Sequence, residues 1–490
     1  MKKLFQQSWS DIFLNIFPFL IVFTASLYRP RDADLGWILK YGEYFVKQGR
    51  LLYENTFSTM MPDYRWVNHS WASDIISYIT FSNFGFFGYS ILGALVLTLT
   101  FYFFSKAFNL SVWEKGLILP FLVFLENTVN SSSFRPQLLS FLFLGILFYI
   151  LRLYGEGSKN KLFWLILLFL IWANIHGLYI LGLALFALWF LGKSLEEVLI
   201  EKSLRKELLY SLKLPGIVFI LTILATLINP FGTGVYTESF RHFFNPWQKY
   251  IIEWQPISNV QLVFWKHIIL GAVITMGVLG LFFDNKLKKS LAEALVFSPL
   301  YLLAFFMRRY AWSAYYLSIP FIRPVVNIFK PKNRNAEKSL LISILLIIFA
   351  VTIVVKSPFR QYVDMSWKTF CELRRCSEKS VEYLIENGLS KKKLFTLYDW
   401  GGWLIWNYPE IKPTIDGRMH LWRDENGYSA FAEYYPLEQN WSGYEIDDTE
   451  YNVVFISTRK SIYKKMLQLV DNGKWKLRYR DDDAAIFERI

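Results

Sequence analysis

Residues 12–37 read IFLNIFPFLIVFTASLYRPRDADLGW. The first part, Ile12 to Leu27, is an apolar run long enough to cross a hydrocarbon core. It ends in a charged cluster, so Asp32 and Asp34 stand where a chain leaves lipid. Carboxylates are costly near a bilayer. Two of them at such an exit are either a polar stop to a helix or groups that carry chemistry at the membrane surface.

Runs of this kind recur along the chain. It has 490 residues, 54% hydrophobic and 19% aromatic, whereas a soluble chain of that length divides into two or three domains and carries more charge. Apolar segments fall at about 12–28, 86–105, 116–130, 136–153, 162–175, 177–192, 214–229, 267–283, 291–307, 312–328 and 339–355. They predict about eleven crossings, with a polar domain from 357 to 490. The start MKKLFQQSWSDIFL has no small-x-small cleavage site before Arg29, which points to an uncleaved first span.

The net charge of +13 is a topology signal. With the N-terminus and Lys2 and Lys3 in the cytoplasm, every short basic loop falls on the same side: Lys106 and Lys115; Arg152, Lys159 and Lys161; Lys193, Lys202, Arg205, Lys206 and Lys213; Lys286, Lys288 and Lys289; Lys330, Lys332, Arg334 and Lys338. That placement argues against a nucleic-acid partner. The opposite side collects Arg31 to about Trp71, Glu126 to Arg135, Asn174 to Gly177, Pro230 to Lys266, Arg308 to Tyr310 and the C-terminal domain. Those segments are rich in Asp, Glu, His, Asn, Arg and Trp. An active site there has no ATP or nucleotide sugar, so its donor must arrive through the membrane.

In the first external loop, DLGWILKYGEYFVKQGR reads as a short interfacial amphipathic helix ended by Gly49. NTFSTMMPDYRWVN is a loop, and HSWASDIISYITF begins a second surface helix. An acceptor that attacks an anomeric carbon must lose a proton, and a carboxylate in a partly dry site suits that task. A phosphate leaving group needs Arg, Lys or a divalent ion. A D-x-D pair alone is weak evidence, because Asp34 also stands at the N-cap of the helix that starts at Leu35.

With its many spans, acidic first loop and two surface helices, the chain resembles the GT-C superfamily of membrane glycosyltransferases. The matching residues are Asp32 and Asp34. The resemblance implies a lipid-phosphate sugar donor and a first-loop aspartate acting as general base or metal ligand. Residues 396–420, TLYDWGGWLIWNYPEIKPTIDGRMH, resemble the W-W-D-Y-G region of the oligosaccharyltransferase catalytic subunit. Tyr398, Asp399, Trp400 and Gly401 fill its later positions, and Asp416-Gly417 its downstream pair. The chain departs from that pattern at Leu397, in the aromatic order, and in lacking a second D-x-D between Glu126 and Arg135, where only Glu126 is acidic. Those departures favour an acceptor other than a peptide sequon. Turn aspartates beside glycines are the alternative reading of Asp399 and Asp416.

Further candidates face the same side. Glu253 in YIIEWQP and His176 in WANIHG join Asp34 as ligands if a divalent cation, Mg2+ or Mn2+, is used. Arg135 in SFRPQ and Arg308 and Arg309 in FMRRY are basic where the positive-inside rule expects few, and a donor phosphate gives them a role; snorkelling is the alternative. His69, with Tyr398, Asp399 and Trp400, is a candidate for acceptor binding.

The C-terminal part reads as a small α/β domain: helix SEKSVEYLIENG with Ser377 as cap and Gly388 as stop, strands KLFTLYD and YNVVFIST, helix KSIYKKMLQLVDNG, and hairpin WKLRYRDDDAAIFERI turning at Asp481–Asp483. Cys371 and Cys376, the two cysteines of the chain, face an oxidising compartment in this topology, which permits a short-loop disulfide; their spacing alone does not require one.

The expected fold class is mainly α. A GT-C-like transmembrane bundle of about eleven spans occupies 1–356, with a long first external loop at 29–85, and an extracytoplasmic α/β domain occupies 357–490. The expected protein is a multi-pass enzyme of the plasma membrane. It inverts configuration as it moves a sugar or glycan from a polyprenyl-phosphate-linked donor to a lipid, glycan or protein acceptor. The competing reading is a non-catalytic transporter, flippase or partner protein in envelope glycolipid assembly. That reading requires ionisable groups at mid-membrane and related halves. The expected spans are almost without central charges, and the halves show no repeat.

Overall fold

The structure, a computed structural model, describes residues 8–127, 133–201, 205–356 and 365–490. Lys2, Lys3 and Lys202, residues 128–132 of the second external loop, and Ser357, where the polar domain is expected to begin, lie outside them. Two compact units divide the chain. One comprises Met1–Tyr28, Ser90–Gly232 and Tyr250–Arg360; the other comprises Arg29–Tyr89, Thr233–Lys249 and Gln361–Ile490.

The first unit is a helix bundle. Its helices are α1 (Trp9–Ala25), the later part of α3 (Trp71–Ala107), α4 (Val112–Glu126), α5 (Pro136–Gly155), α6 (Trp164–Ile175), α7 (Tyr179–Glu201), α8 (Arg205–Thr226), α10 (Gln261–Phe283), α11 (Leu291–Phe306), α12 (Ala311–Leu317), α13 (Ile319–Ile328) and α14 (Arg334–Val355). The described part of each expected apolar run lies on one of these, with one change; 128–130 of the run at 116–130 lie outside the described residues. The run at 312–328 is two helices, α12 and α13, because Pro320 brings no N–H to continue the ladder past Ser318. By length and composition, six helices among the described residues can cross a membrane: Trp71–Ala107, Pro136–Gly155, Tyr179–Leu199, Gln261–Phe283, Leu287–Phe306 and Arg334–Val355. Small residues let the helices approach closely. A Cβ at Gly192 of α7 would lie 2.3 Å from Ala292 Cα of α11, and one at Gly277 of α10 would lie 1.7 Å from the Phe321 carbonyl of α13.

The second unit holds α2 (Leu35–Gln48), the first turns of α3, α9 (Gly234–Phe243) and the C-terminal residues. Gly49 closes α2 in the left-handed region at φ 65°. The apolar stripe of α2 is covered by protein: Leu35, Ile38 and Leu39 are buried. Their cover includes the helix Gly401–Asn407, which packs on α2 so closely that a Cβ at Gly36 would lie 1.8 Å from the Gly402 carbonyl oxygen. This half of α2 therefore does not rest on lipid, as an interfacial helix would. Gly85 breaks α3 at φ 60°, ψ −157°, a conformation that costs a glycine little. The expected second surface helix and the following span meet at that residue.

The C-terminal elements follow the expected order. Ser377 caps the helix Glu378–Glu386 by accepting from the Ser380 N–H, and Gly388 follows it in the left-handed region. Strands β1 (Leu394–Thr396), β2 (Val453–Ser457), β3 (Trp475–Arg480) and β4 (Ala484–Arg489) form one sheet in the order β1-β2-β4-β3. The β1/β2 pair is parallel, joined by a long connection, and the β3–β4 hairpin is antiparallel. Asp481 ties the hairpin turn: its Oδ1 accepts from the Asp483 and Ala484 N–H groups. Cys371 and Cys376 are disulfide-bonded.

Candidate active site

The two acidic residues of the first loop divide their labour. Asp32 holds backbone: its Oδ1 accepts from the Asp34 N–H at 3.2 Å, and its carbonyl accepts from the Leu35 N–H. Asp34 occupies the N-cap position of α2 but makes no capping hydrogen bond through its side chain. This corrects the reading of Asp34 as a cap. Its Oδ1 accepts instead from the Trp37 indole at 3.0 Å. The same oxygen lies so close to Gly417 that a Cβ there would be 1.7 Å away. Thus RDADLGW and the distant IDGR meet within one unit, and only glycine fits at the contact.

Beside Gly417, Asp416 and Arg418 form a fully buried ion pair. Arg418 Nε donates to Asp416 Oδ1 at 2.7 Å and Nη2 to Oδ2 at 2.6 Å. Nη2 also donates to Asn55 Oδ1 at 2.9 Å, and the Ser58 hydroxyl donates to Asp416. The guanidinium stacks among Phe57, Trp66 and Trp422, with centroid distances of 4.9, 4.7 and 5.1 Å. Burial alone would raise the Asp416 carboxyl, but Arg418 and Ser58 more than offset it and hold it below the usual carboxylate range. On the other side of the turn, the Gly417 carbonyl accepts from the Tyr398 hydroxyl at 3.2 Å and lies 2.8 Å from His420 Nδ1. Tyr398 is therefore tied to the Asp34–Gly417 contact. Asp399 and Trp400 have other partners: Asp399 is half exposed and pairs with Lys460 at 3.3 Å, and Trp400 is buried against Phe455 of β2.

His69 belongs to a cluster in the same unit. Its ring lies 6.0 Å from that of His242, which bonds buried Glu238 at 2.9 Å. Tyr64 joins Glu238 at 3.4 Å and stacks on Trp422 at 4.6 Å. Burial raises the Glu238 carboxyl, but His242, His69 and Arg241 together bring it below its usual value.

In the bundle unit, the loops expected on one side gather at one end. Arg135 Nη1 meets Glu253 Oε1 at 2.5 Å, and Arg309 Nη1 stands 3.9 Å from Glu253 Oε2. Arg309 stacks on Trp254 at 4.8 Å, and the Arg308 N–H donates to the Gln255 carbonyl at 2.9 Å. Burial pulls both arginines down from their usual value and Glu253 pushes back. Two guanidiniums, those of Arg135 and Arg309, meet one carboxylate, which leaves surplus positive charge. His176 is held separately: its Nδ1 lies 2.9 Å from the Ser140 hydroxyl, which also accepts from the Trp172 indole. The basic ends also come together, since Arg152 donates to the Lys106 carbonyl and Lys193 pairs with Glu293 at 3.3 Å.

The fit to a divalent cation is poor. Among the described residues, no group of three or more His, Cys, Asp or Glu side chains assembles to hold one. Of the expected ligands, Asp34 receives the Trp37 indole, Glu253 is neutralised by arginine, and His176 bonds a serine. Sequence reasoning missed Trp37, Arg418, His420 and the Glu238–His242 pair. Two signals point to some of them: a full charge two residues after Asp416 in an aromatic-rich segment, and acid and imidazole at i, i+4 on α9.

No protein-family model matches the chain, and no curated protein does. Solved structures do. Archaeal oligosaccharyltransferase AglB from Archaeoglobus fulgidus, in complex with an inhibitory peptide and a dolichol-phosphate, matches with a TM-score of 0.55 and 11% identity over 92% of this chain and 70% of that one. The apo form of the Archaeoglobus fulgidus enzyme gives 0.55, 10%, 92% and 70%. The form tethered to an acceptor peptide with the NVT sequon gives 0.55, 11%, 92% and 69%. This chain is a mainly helical, multi-span membrane protein with a small C-terminal mixed sheet, similar in fold to the archaeal oligosaccharyltransferase AglB.

Proposed function

We propose that the chain is an inverting membrane glycosyltransferase that moves a sugar or glycan from a polyprenyl-phosphate-linked donor to an acceptor on the extracytoplasmic face. The observation that carries this reading is the contact of Asp34 with Gly417, which joins the acidic first loop to the Tyr398–Arg418 segment. The fold shared with AglB, which has been solved with a dolichol-phosphate and with peptides, supports a lipid-linked donor.

In this reading Asp34 is the general base. It takes the proton from the acceptor hydroxyl or amide as that atom bonds to the anomeric carbon, and the bond from that carbon to the phosphate oxygen breaks on the opposite face. Trp37 orients the carboxylate, and Asp32 fixes the turn that carries it. The polyprenyl phosphate departs with its negative charge, which Arg135, Arg308 and Arg309 are suited to receive. His69 and Tyr398 are assigned to the acceptor. The N-terminus is cytoplasmic and the C-terminal residues are extracytoplasmic in the plasma membrane, in line with the gathering of the basic helix ends.

The test is transfer by the purified full-length protein in nanodiscs, with radiolabelled polyprenyl-phosphate sugars and a membrane extract as acceptor source. Product from wild type and none from Asp34→Asn is the expected result; no product from wild type with any donor removes the assignment. Arg309→Ala is expected to lower kcat/KM for the donor by about 10- to 100-fold, from the loss of a charge-assisted contact worth about 1.5–3 kcal/mol. Steady-state kinetics over donor concentration checks it, and an unchanged value returns Arg309 to a purely structural role.

A further inference from the structure

A cavity of about 440 Å³ opens in the bundle unit, at the end where the basic helix termini gather. Its walls are apolar and aromatic, with Phe148 of α5, Trp189 of α7 and Val296 of α11 among them. Its charged groups are Arg152 and Lys193 against Glu156, Glu197 and Glu293. Four membrane-length helices, α3, α5, α7 and α11, bring residues to it near their ends. The cavity therefore lies toward the ends of helices long enough to cross a membrane, which puts lipid headgroups among the ligands within reach. Its size is that of a small-ligand pocket.

One polar atom there has no partner. Glu293 Oε1 is paired with Lys193 at 3.3 Å, but its Oε2 is buried with no hydrogen-bond donor among the described residues. A buried carboxylate oxygen left unbonded is costly, so a ligand that brings an N–H to it gains binding energy. The lining carries both signs with one carboxylate in excess, which disfavours an anionic headgroup and suits a zwitterion.

We infer that this cavity is a binding site for a phospholipid whose headgroup carries a primary ammonium, phosphatidylethanolamine being the type. The ammonium donates to Glu293 Oε2, the phosphate faces the Arg152 guanidinium, and the first acyl carbons lie along Phe148 and Val296. The inference is independent of the transfer reaction. It predicts selectivity for the ammonium over the trimethylammonium of phosphatidylcholine, which has the same charge and no N–H to donate.

The experiment is native mass spectrometry of the delipidated full-length protein, titrated with phosphatidylethanolamine, phosphatidylcholine and phosphatidylglycerol of identical acyl chains. Wild type should bind the ethanolamine lipid about tenfold tighter than either of the others, the value of one charge-assisted hydrogen bond. Glu293→Gln should erase the preference over phosphatidylcholine. Arg152→Ala should weaken both lipids alike and keep the preference. Exposed Lys288, outside the cavity, should be silent as Lys288→Ala. Equal binding of the ethanolamine and choline lipids by wild type overturns the inference without recourse to any variant. Displacement of the lipid by an equal concentration of glycerophosphoethanolamine overturns the lipid assignment.

Discussion

Asp34→Asn is expected to lower the proposed sugar transfer by at least about 100-fold while the protein stays folded, the loss that follows when a general base becomes a group that takes no proton. Asparagine keeps the size of the side chain and an acceptor oxygen for the Trp37 indole, and the close approach to Gly417 is unchanged in volume. Stability should therefore move little. Asp32→Asn is the contrast. Its side chain accepts from the Asp34 N–H, which an asparagine oxygen also does in turns and caps. Its loss should be tenfold or less. Initial rates for the two variants at saturating donor, beside thermal melts in detergent, separate the roles. Equal losses for both make the pair, rather than Asp34 alone, the base; full activity in both removes the site.

Arg418→Met has the largest expected effect on stability. It leaves the Asp416 carboxylate buried beside Ser58 without its counter-ion, and breaking a buried pair from one side costs about 3–5 kcal/mol. Asp416→Asn strands the guanidinium in the same way. The double variant Asp416→Asn/Arg418→Met removes both charges, so it should be more stable than Arg418→Met alone, and chemical denaturation of the four proteins forms the cycle that reads the coupling. The pH dependence has a fixed sign. The folded carboxyl of Asp416 lies below its unfolded value, so the stability it contributes is present above the ordinary carboxylate range and is lost as pH falls through the lower folded value. An additive double variant, or a wild type whose acid sensitivity matches the double variant, counts against the pair as a keystone.

Much of the architecture is legible in apolar run length, because lipid forces backbone hydrogen bonds inside each segment and so writes helices plainly. The runs at 136–153, 162–175 and 291–307 lie on α5, α6 and α11 within a few residues. Pro320 was visible, yet the run across it looked continuous because hydropathy counts side chains and not donors. The C-terminal domain was equally open to reading, with Ser377, Gly388 and the Asp481–Asp483 turn marking its elements. The site was legible by segment but not by role. RDADLGW and IDGR both stand out in the sequence; that Gly417 receives Asp34 does not, because contact across hundreds of residues leaves no local period. The cap rule points at Asp34 from position alone, but the turn is held by Asp32 two residues earlier. Arg418 carries no mark of its role, since nothing in sequence tells a buried guanidinium from a solvated one.

The seam of Gly36 against Gly402 also sets a timetable for synthesis. About 370 residues separate the two glycines, so at about 5–20 residues per second α2 leaves the ribosome on the order of 20–70 s before its partner helix exists. During that interval Leu35, Ile38 and Leu39 lack the cover of that helix. The amphipathic stripe gives α2 a holding place, since the surface of the bilayer accepts the same face that the helix Gly401–Asn407 later takes. A chain truncated after Thr396 should therefore keep α2 bound to membranes but open to protease between α2 and Trp71, whereas the full chain resists. Limited proteolysis of the two in the same vesicles reads the difference, and equal resistance means that the first loop closes without the last hundred residues.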